Sequence, residues 1–356
     1  MKRIGNLWGK VTAFDNLYRA YRQARAGKGA RSAVTRFELE LEGNLFELQK
    51  ALRTRTYRPG TYYLFEIYDR KPRTIAAAPF PDRVVHHALM NPIEPILDRR
   101  LIHDCYACRV GKGVHAAVRR YQAWARRYPY VLKVDVRKYF PSIDHDILKA
   151  KLRRRMKDRN VLWLFDTIID SAPKAPSPGV LFPDDDLVTL MERRCGLPIG
   201  NLTSQFLGNL YLDDLDHYLK EVCGARAYLR YVDDLILLGD DKRYLRELKG
   251  EIDDFLIGER LRLHPDKVLV QPTNIGLDVL GYRVSPDRIL LRRDNGYRYR
   301  RRLWAMQREY RRGGIAIGDV RASVAAWLGH IRHANSLGLC QAVLYPVSFT
   351  PGNGVG

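Results

Sequence analysis

Negative charge is scarce in this chain relative to its opposite. Asp and Glu total 40 against 61 Lys and Arg in 356 residues, a formal net charge of +21. An excess of that size points to a polyanionic partner, nucleic acid before anionic membrane. Cysteine is thin as well, with five residues at 105, 108, 195, 223 and 340. An odd, sparse set excludes a disulfide framework and reads as reduced thiols. Cys105-Tyr-Ala-Cys108 has no second pair nearby, so it reads as packed cysteines rather than a zinc site. No apolar run approaches the roughly 18–20 residues of a membrane span. The first ten residues carry charge without a signal peptide's apolar core. The chain is therefore expected to be intracellular (cytoplasmic), with no membrane partner. There is no internal repeat, and Arg109-Val-Gly-Lys-Gly113 lacks the gap and the Gly-Lys-Ser/Thr ending of a phosphate-binding P-loop.

Against these absences one stretch stands out, Leu229-Arg-Tyr-Val-Asp-Asp-Leu-Ile-Leu-Leu238. Asp233 and Asp234 sit between two β-prone apolar runs, which reads as a hairpin with acids at its tip. Adjacent carboxylates repel, and apolar flanks raise the cost of their charge. A divalent cation removes both objections, because hard cations take carboxylate oxygens. A solvated turn is the competing reading of the stretch alone. A third acid, Asp135, ends the buried-looking strand Tyr130-Val-Leu-Lys-Val-Asp-Val136, where a rigid element can hold it against a metal or where it caps a strand end. Three carboxylates on a basic chain suggest two-metal phosphoryl transfer, with ions roughly 3.5–4 Å apart.

Around these acids the chain is organised as follows. Residues 1–50 read as helical, with Phe14, Leu17, Tyr18 and Tyr21 at helical spacing. A basic break at Arg25 to Arg31 leads to a second helix through Phe37, Leu39, Leu41, Leu45, Phe46 and Leu48. The basic faces of both suit nucleic acid or plain solvent. Residues 57–83 read as a hairpin whose tip, Asp69-Arg70-Lys71-Pro72-Arg73, is basic enough to grip a triphosphate, or is a solvated turn. Residues 84–126 are mostly helical, with an interruption near Asp104 to Gly113. A helix begins near Asp144. Residues 171–187 form a surface loop, and Gly196-Leu-Pro-Ile-Gly-Asn-Leu-Thr-Ser-Gln205 is a glycine-bearing loop running into an apolar helix from Phe206. Another helix covers about Lys242 to Ile257. From 285 to 314, ten arginines stand against three acids, interleaved with Tyr297, Tyr299, Trp304 and Tyr310. That mixture fits a nucleic-acid surface or a solvated basic helix.

The order of these pieces resembles a reverse transcriptase. The resemblance rests on Val134-Asp135 with Phe140, Leu197-Pro-Ile-Gly200 with Ser204-Gln205, Tyr231-Val-Asp-Asp234, Pro265-Asp-Lys267 and Leu280-Gly-Tyr282. It implies an α+β right-hand polymerase: an N-terminal helical extension (1–56), fingers (57–130, with part of 150–200), a palm on a split βαβ antiparallel sheet (131–284) and a helical basic thumb with tail (285–356). Within the family the chain most resembles the enzymes of diversity-generating retroelements, through Ile199-Gly-Asn-Leu-Thr-Ser-Gln205. Group II intron enzymes usually carry Gln before that glycine and Ser-Pro in place of Ser204-Gln205. No maturase, nuclease or RNase H segment follows the thumb, which fits a compact enzyme acting with helpers.

The resemblance also implies roles. Asp135, Asp233 and Asp234, with the Val136 carbonyl, would bind two Mg2+ ions, Mn2+ being able to substitute. Arg70, Lys71 and Arg73 would hold the incoming dNTP, whose pocket would include Val136, Phe140, Ile199 and Gly200. Phe140 would be the steric gate that rejects a 2′-hydroxyl by repulsion. Lys267 would protonate the leaving pyrophosphate, Gly281 and Tyr282 would grip the primer, and Arg109 and Gln205 would lie along the template. Ile199 can neither donate nor accept where a Gln would brace the nascent pair, and such polar checks are each worth on the order of 1–3 kcal/mol. Low fidelity is therefore expected, unless Ile199 only packs. Template RNA, the RNA/cDNA hybrid, dNTPs and a small, basic, oligomeric accessory variability protein are the implied partners, in a bacterial, archaeal or phage-encoded system. The alternatives are another bacterial reverse transcriptase, of group II intron, retron or phage-defence type, or a non-catalytic RNA-binding protein.

Overall fold

The computed structural model describes residues 3–68, 72–173, 180–183 and 185–350. Arg70 and Lys71 lie outside them. The N-terminal segment is helical as the periodicity predicts: α1 (Trp8–Val11), α2 (Phe14–Arg25), α3 (Ser32–Leu39) and α4 (Leu41–Arg53). The expected single second helix is two, because the backbone breaks at Glu40 (φ −129°, ψ 47°) and leaves Leu39 exposed. The hairpin follows, β1 (Tyr63–Tyr68) antiparallel to β2 (Pro72–Ala77), in the register Ile67 to Arg73.

Helix α5 (Phe80–Asp98) carries Pro92 and Pro95 in its interior. Pro92 has no N–H to give to the Ala88 carbonyl, one turn back. The Asn16 side-chain amide donates to it instead, at 2.8 Å. Packing over α5 does the rest, with Phe80 edge-on to Phe37 at 5.2 Å and to Tyr21 at 6.3 Å. Most helical stability in proteins comes from burying such a face.

After α6 (Val114–Ala125), whose entry at Gly113 needs φ +98°, come β3 (Tyr130–Asp135), α7 (Tyr139–Ser142), α8 (His145–Arg155) and α9 (Arg159–Asp170). Asp144 caps α8, accepting from the Asp146 and Ile147 amides at 2.9 and 3.1 Å. Asp158 caps α9 and, with its other oxygen, accepts from the Leu7 and Trp8 amides at 2.9 and 3.1 Å. One carboxylate thus satisfies two helix starts.

The rest of the chain runs through α10 (Leu187–Glu192), α11 (Leu202–Tyr211), α12 (Asp213–His217), a π-helical turn (Tyr218–Val222), β4 (Tyr228–Tyr231), β5 (Asp234–Gly239), α13 (Lys242–Gly258), a 3-10 turn (Pro265–Lys267), β6 (Leu269–Pro272), β7 (Leu277–Val279), β8 (Tyr282–Val284), β9 (Ile289–Leu291), α14 (Arg293–Arg311), α15 (Ile317–Ile331) and α16 (Leu337–Leu344). The apolar helix after the glycine loop starts at Leu202 rather than Phe206 and is broken at Leu212.

The chain divides into two compact units. One takes in 1–110, 133–235 and 247–268; the other takes in 111–132, 236–246 and 269–356. A four-stranded sheet runs in the order β4-β5-β3-β6. The first unit also holds the β1–β2 hairpin. The second holds the antiparallel meander β7-β8-β9 and the C-terminal helices, where Tyr299 stacks on Trp327 at 4.3 Å. No helix among the described residues is long and apolar enough to cross a membrane.

Candidate active site

The acids far apart in sequence come together in the first unit. Asp135 ends β3, Asp233 occupies the β4–β5 turn and Asp234 opens β5. The Val136 amide donates to the Asp233 carbonyl at 3.0 Å, which ties the strand end to the turn. The Asp135 carbonyl in turn accepts from the His264 amide at 2.8 Å, and the Arg137 amide donates to the Arg262 carbonyl at 2.8 Å. These ties fix the Pro265–Lys267 turn beside the acids. Lys267 reaches back, with Nζ 2.7 Å from Asp135 Oδ2, while Lys133 Nζ stands 3.4 Å from Asp234 Oδ1.

Electrostatics fit a cation site. Burial, then the Asp135 and Asp234 carboxylates, push the Asp233 carboxyl up to about 6. An acid held in that state gains most from added positive charge, and its oxygens are the hard donors that Mg2+ or Mn2+ takes. Among the described residues no three Asp, Glu, His or Cys side chains already converge as a complete cage. The two lysines supply the positive charge that the acids face here.

The residues expected to line a nucleotide pocket are placed as follows. Phe140, half-buried, lies on α7, one turn after the strand end. Gly208 of α11 lies under its ring: a Cβ there would stand 3.2 Å from Phe140 Cε1 and 3.6 Å from Tyr139 Cε1. Tyr139, wholly buried, donates its hydroxyl to the Gly208 carbonyl and anchors the same spot. Gly208 is thus a residue that sequence reasoning missed. A glycine inside an apolar helix was the available signal. The loop before α11 docks on the hairpin, since the Ile199 carbonyl accepts from the Ala76 amide at 3.1 Å. Gly200, at φ +113°, would place a Cβ 3.1 Å from Ile75 Cγ2, so both conformation and space require glycine. Arg73 is exposed on β2 opposite Ile67, and Gln205 is exposed on α11.

Two expectations change. Arg109 does not lie open to a template. Its guanidinium donates to both Asp98 carboxylate oxygens, at 2.6 and 3.2 Å, and to the Asp98, Ile102 and Cys105 carbonyls, which pins the irregular segment after α5. Tyr282 is enclosed in the second unit, and its hydroxyl donates to the His330 carbonyl at 2.9 Å. A grip at this point would therefore use the backbone at Gly281, where φ is +95°, rather than the tyrosine ring. Of the paired cysteines, Cys105 is buried as expected and Cys108 is exposed.

Comparison with known proteins places the chain. Residues 68–284, more than half of it, match the family model for reverse transcriptase (RNA-dependent DNA polymerase). It is 25% identical to the protein YkfC of Escherichia coli (strain K12), a match covering 79% of this chain and 83% of YkfC. It is 30% identical over 95 residues to nuclear intron maturase 1, mitochondrial, of Arabidopsis thaliana. That match covers 27% of this chain and spans only 13% of the maturase. Among solved structures, apo telomerase from Candida tropicalis, truncated from its C-terminal domain, superposes with a TM-score of 0.47 at 13% identity, covering 70% of this chain and 60% of that one. The fold is the right-hand polymerase fold. The chain belongs to the reverse transcriptase family and is an RNA-directed DNA polymerase.

Proposed function

We propose that this reverse transcriptase is of the diversity-generating kind, making error-prone cDNA from a template-repeat RNA that later replaces a variable gene segment. The observation that carries the reading is Ile199. It stands in the loop that docks on the β1–β2 hairpin, at the position where the family's related enzymes place a hydrogen-bonding Gln. Its carbonyl is fixed on Ala76, while its side chain offers the nascent pair shape without polarity. The similarity to an intron maturase over 95 residues favours a second reading, an enzyme of the group II intron kind. Ile199, together with Gln205 in place of Pro, argues against it.

In this reading Asp135, Asp233, Asp234 and the Val136 carbonyl hold two divalent ions. Those ions neutralise charge on the attacking and leaving oxygens when bound. The primer 3′-hydroxyl attacks the α-phosphate of a dNTP, and pyrophosphate leaves. Arg73 of the fingers hairpin binds the triphosphate, with Arg70 and Lys71 next to it in sequence. Phe140, seated on Gly208, crowds the sugar 2′ position. Lys267 is within reach of Asp135 and so within reach of the leaving group's side of the cluster. Residues 57–130 serve as fingers, 131–284 as palm and 285–356 as thumb, with template RNA, the RNA/cDNA hybrid and a small, basic, oligomeric accessory protein as partners.

Two measurements test this. Ile199→Gln is expected to lower the misincorporation frequency, read by sequencing cDNA from a defined template, by roughly tenfold or more. An unchanged error spectrum would assign Ile199 to packing alone. Phe140→Ala is expected to raise ribonucleotide incorporation by about tenfold to a hundredfold, a steric exclusion being worth a few kcal/mol. Gly208→Ala, which displaces the same ring, should move the dNTP/rNTP ratio in single-nucleotide extension while leaving primer binding alone.

A further inference from the structure

The acidic turn is built on a strained residue. Val232 sits at φ +57°, in the left-handed region where a β-branched side chain is a genuine outlier. Such conformations persist only where the surroundings over-determine them. Here the surroundings are dominated by one side chain. Arg230, two residues before the turn, is fully buried with Asp216, and both side chains are at 0% exposure. Its Nε donates to Asp216 Oδ1 at 2.8 Å and its Nη2 to Asp216 Oδ2 at 2.6 Å. The remaining donors go to carbonyls: Nη2 to Asn209 at 3.0 Å and Nη1 to Val232 at 3.2 Å. Asp216 is itself held by the Tyr228 hydroxyl at 2.6 Å. The backbone of Arg230 is fixed from the far side, its amide on the Asp104 carbonyl at 3.0 Å and its carbonyl on the Tyr106 amide at 2.9 Å.

A buried ion pair is weak evidence for stability, because apolar residues of the same volume often do as well. An apolar pair could not, however, donate to the Val232 carbonyl. Lysine could keep the charge but lacks the planar fork that reaches the Asp216 carboxylate and two carbonyls together. We infer that Arg230, oriented by Asp216, is a positioning residue: it clamps the Val232 carbonyl and so holds the strained turn that aims Asp233 and Asp234 at Asp135. The inference deepens the proposed function and rests on its reading that these three acids hold divalent ions. The clamp acts on the turn as an outer-shell partner acts on a metal ligand, and losing such a partner typically costs 10- to 100-fold in metal affinity or activity.

The test uses the full chain with a template–primer, and Mn2+ as probe. Mn2+ binding is counted by electron paramagnetic resonance, alongside kcat, KM for dNTP and thermal melting. Arg230→Lys is expected to fold, to weaken Mn2+ binding by about tenfold or more and to lower kcat by a similar factor, with KM for dNTP nearly unchanged. Val232→Gly removes the strain, since glycine takes positive φ freely. In that background Arg230→Lys should cost much less, so the two changes are non-additive. If Arg230→Lys unfolds the chain and Val232→Gly/Arg230→Lys folds, the clamp is supported. If neither folds, the pair is purely structural and the inference is overturned. It is overturned as well if Arg230→Lys binds Mn2+ as the unaltered chain does while Asp233→Asn abolishes binding. If Asp233→Asn leaves Mn2+ binding intact, the reading of the acids fails first.

Discussion

Asp233→Asn is expected to abolish primer extension and to make the folded chain more stable. Loss of at least about a thousandfold in rate, equal to about 4 kcal/mol of transition-state stabilisation, is what the proposed function implies for removing one of the three carboxylates it assigns to the ions. Template–primer affinity should change by less than about threefold, because the basic surface rather than the acids attracts the phosphates. The stability effect follows from where the carboxyl sits. Burial, then Asp135 and Asp234, lift it to about 6, above the roughly 3.9 of an unfolded aspartate. The native state therefore holds this proton more tightly than the unfolded chain does. The associated stability is fully present below about pH 4 and is lost as pH rises through about 6. At pH 7 in metal-free buffer the ionised Asp233 is a net penalty, on the order of 1–2 kcal/mol after allowing for its partial exposure. Asparagine escapes it, so the variant's melting temperature at pH 7 should rise and its decline between pH 4 and 6 should flatten. A variant that extends primers at the normal rate would remove Asp233 from the chemistry. One that melts lower at pH 7 would show that the turn needs the carboxylate for its shape.

Which parts of this site were legible in the sequence follows from what local pattern can encode. Alternation and apolar runs marked β3, β4 and β5, and the acids at their ends stood out because charge is rare in such surroundings. The helix start at Asp144 is local chemistry, a carboxylate beside free amides. Contacts that answer a non-local question were invisible. Nothing near Asn16 says that its amide will meet a carbonyl freed by Pro92, 76 residues on. Arg109 reads as a basic residue beside a glycine turn, a natural template contact. Only the fold shows that Asp98 and three carbonyls take its guanidinium. Tyr282 likewise sits in a motif associated with primer contact, yet its ring is buried and its hydroxyl committed to His330. Arg230 was in view inside the central stretch. Its importance needed Asp216 and Val232 in three dimensions, because a basic residue in a strand ordinarily reads as a solvated one.

Replacing Lys267 is expected to have the second largest effect on rate, and a different signature. In the structure its ammonium lies 2.7 Å from Asp135 Oδ2 and the side chain is about half exposed. Its position on the 3-10 turn Pro265–Lys267 is fixed by the neighbouring His264 amide on the Asp135 carbonyl. That bond ties the turn to the strand end. In the proposed reading Lys267 is the proton donor to the leaving pyrophosphate, and general acids of this kind contribute about 10²–10⁴-fold. Lys267→Met should lower kcat by about a hundredfold or more, with KM for dNTP changing little. Lys267→Arg keeps the charge and the contact with Asp135 but does not release its proton in the working range, so it should resemble Met in kcat. If instead Arg restores the normal rate, Lys267 acts through charge on Asp135 alone. Proton transfer to the leaving group would then have to come from water or from another side chain of the cluster.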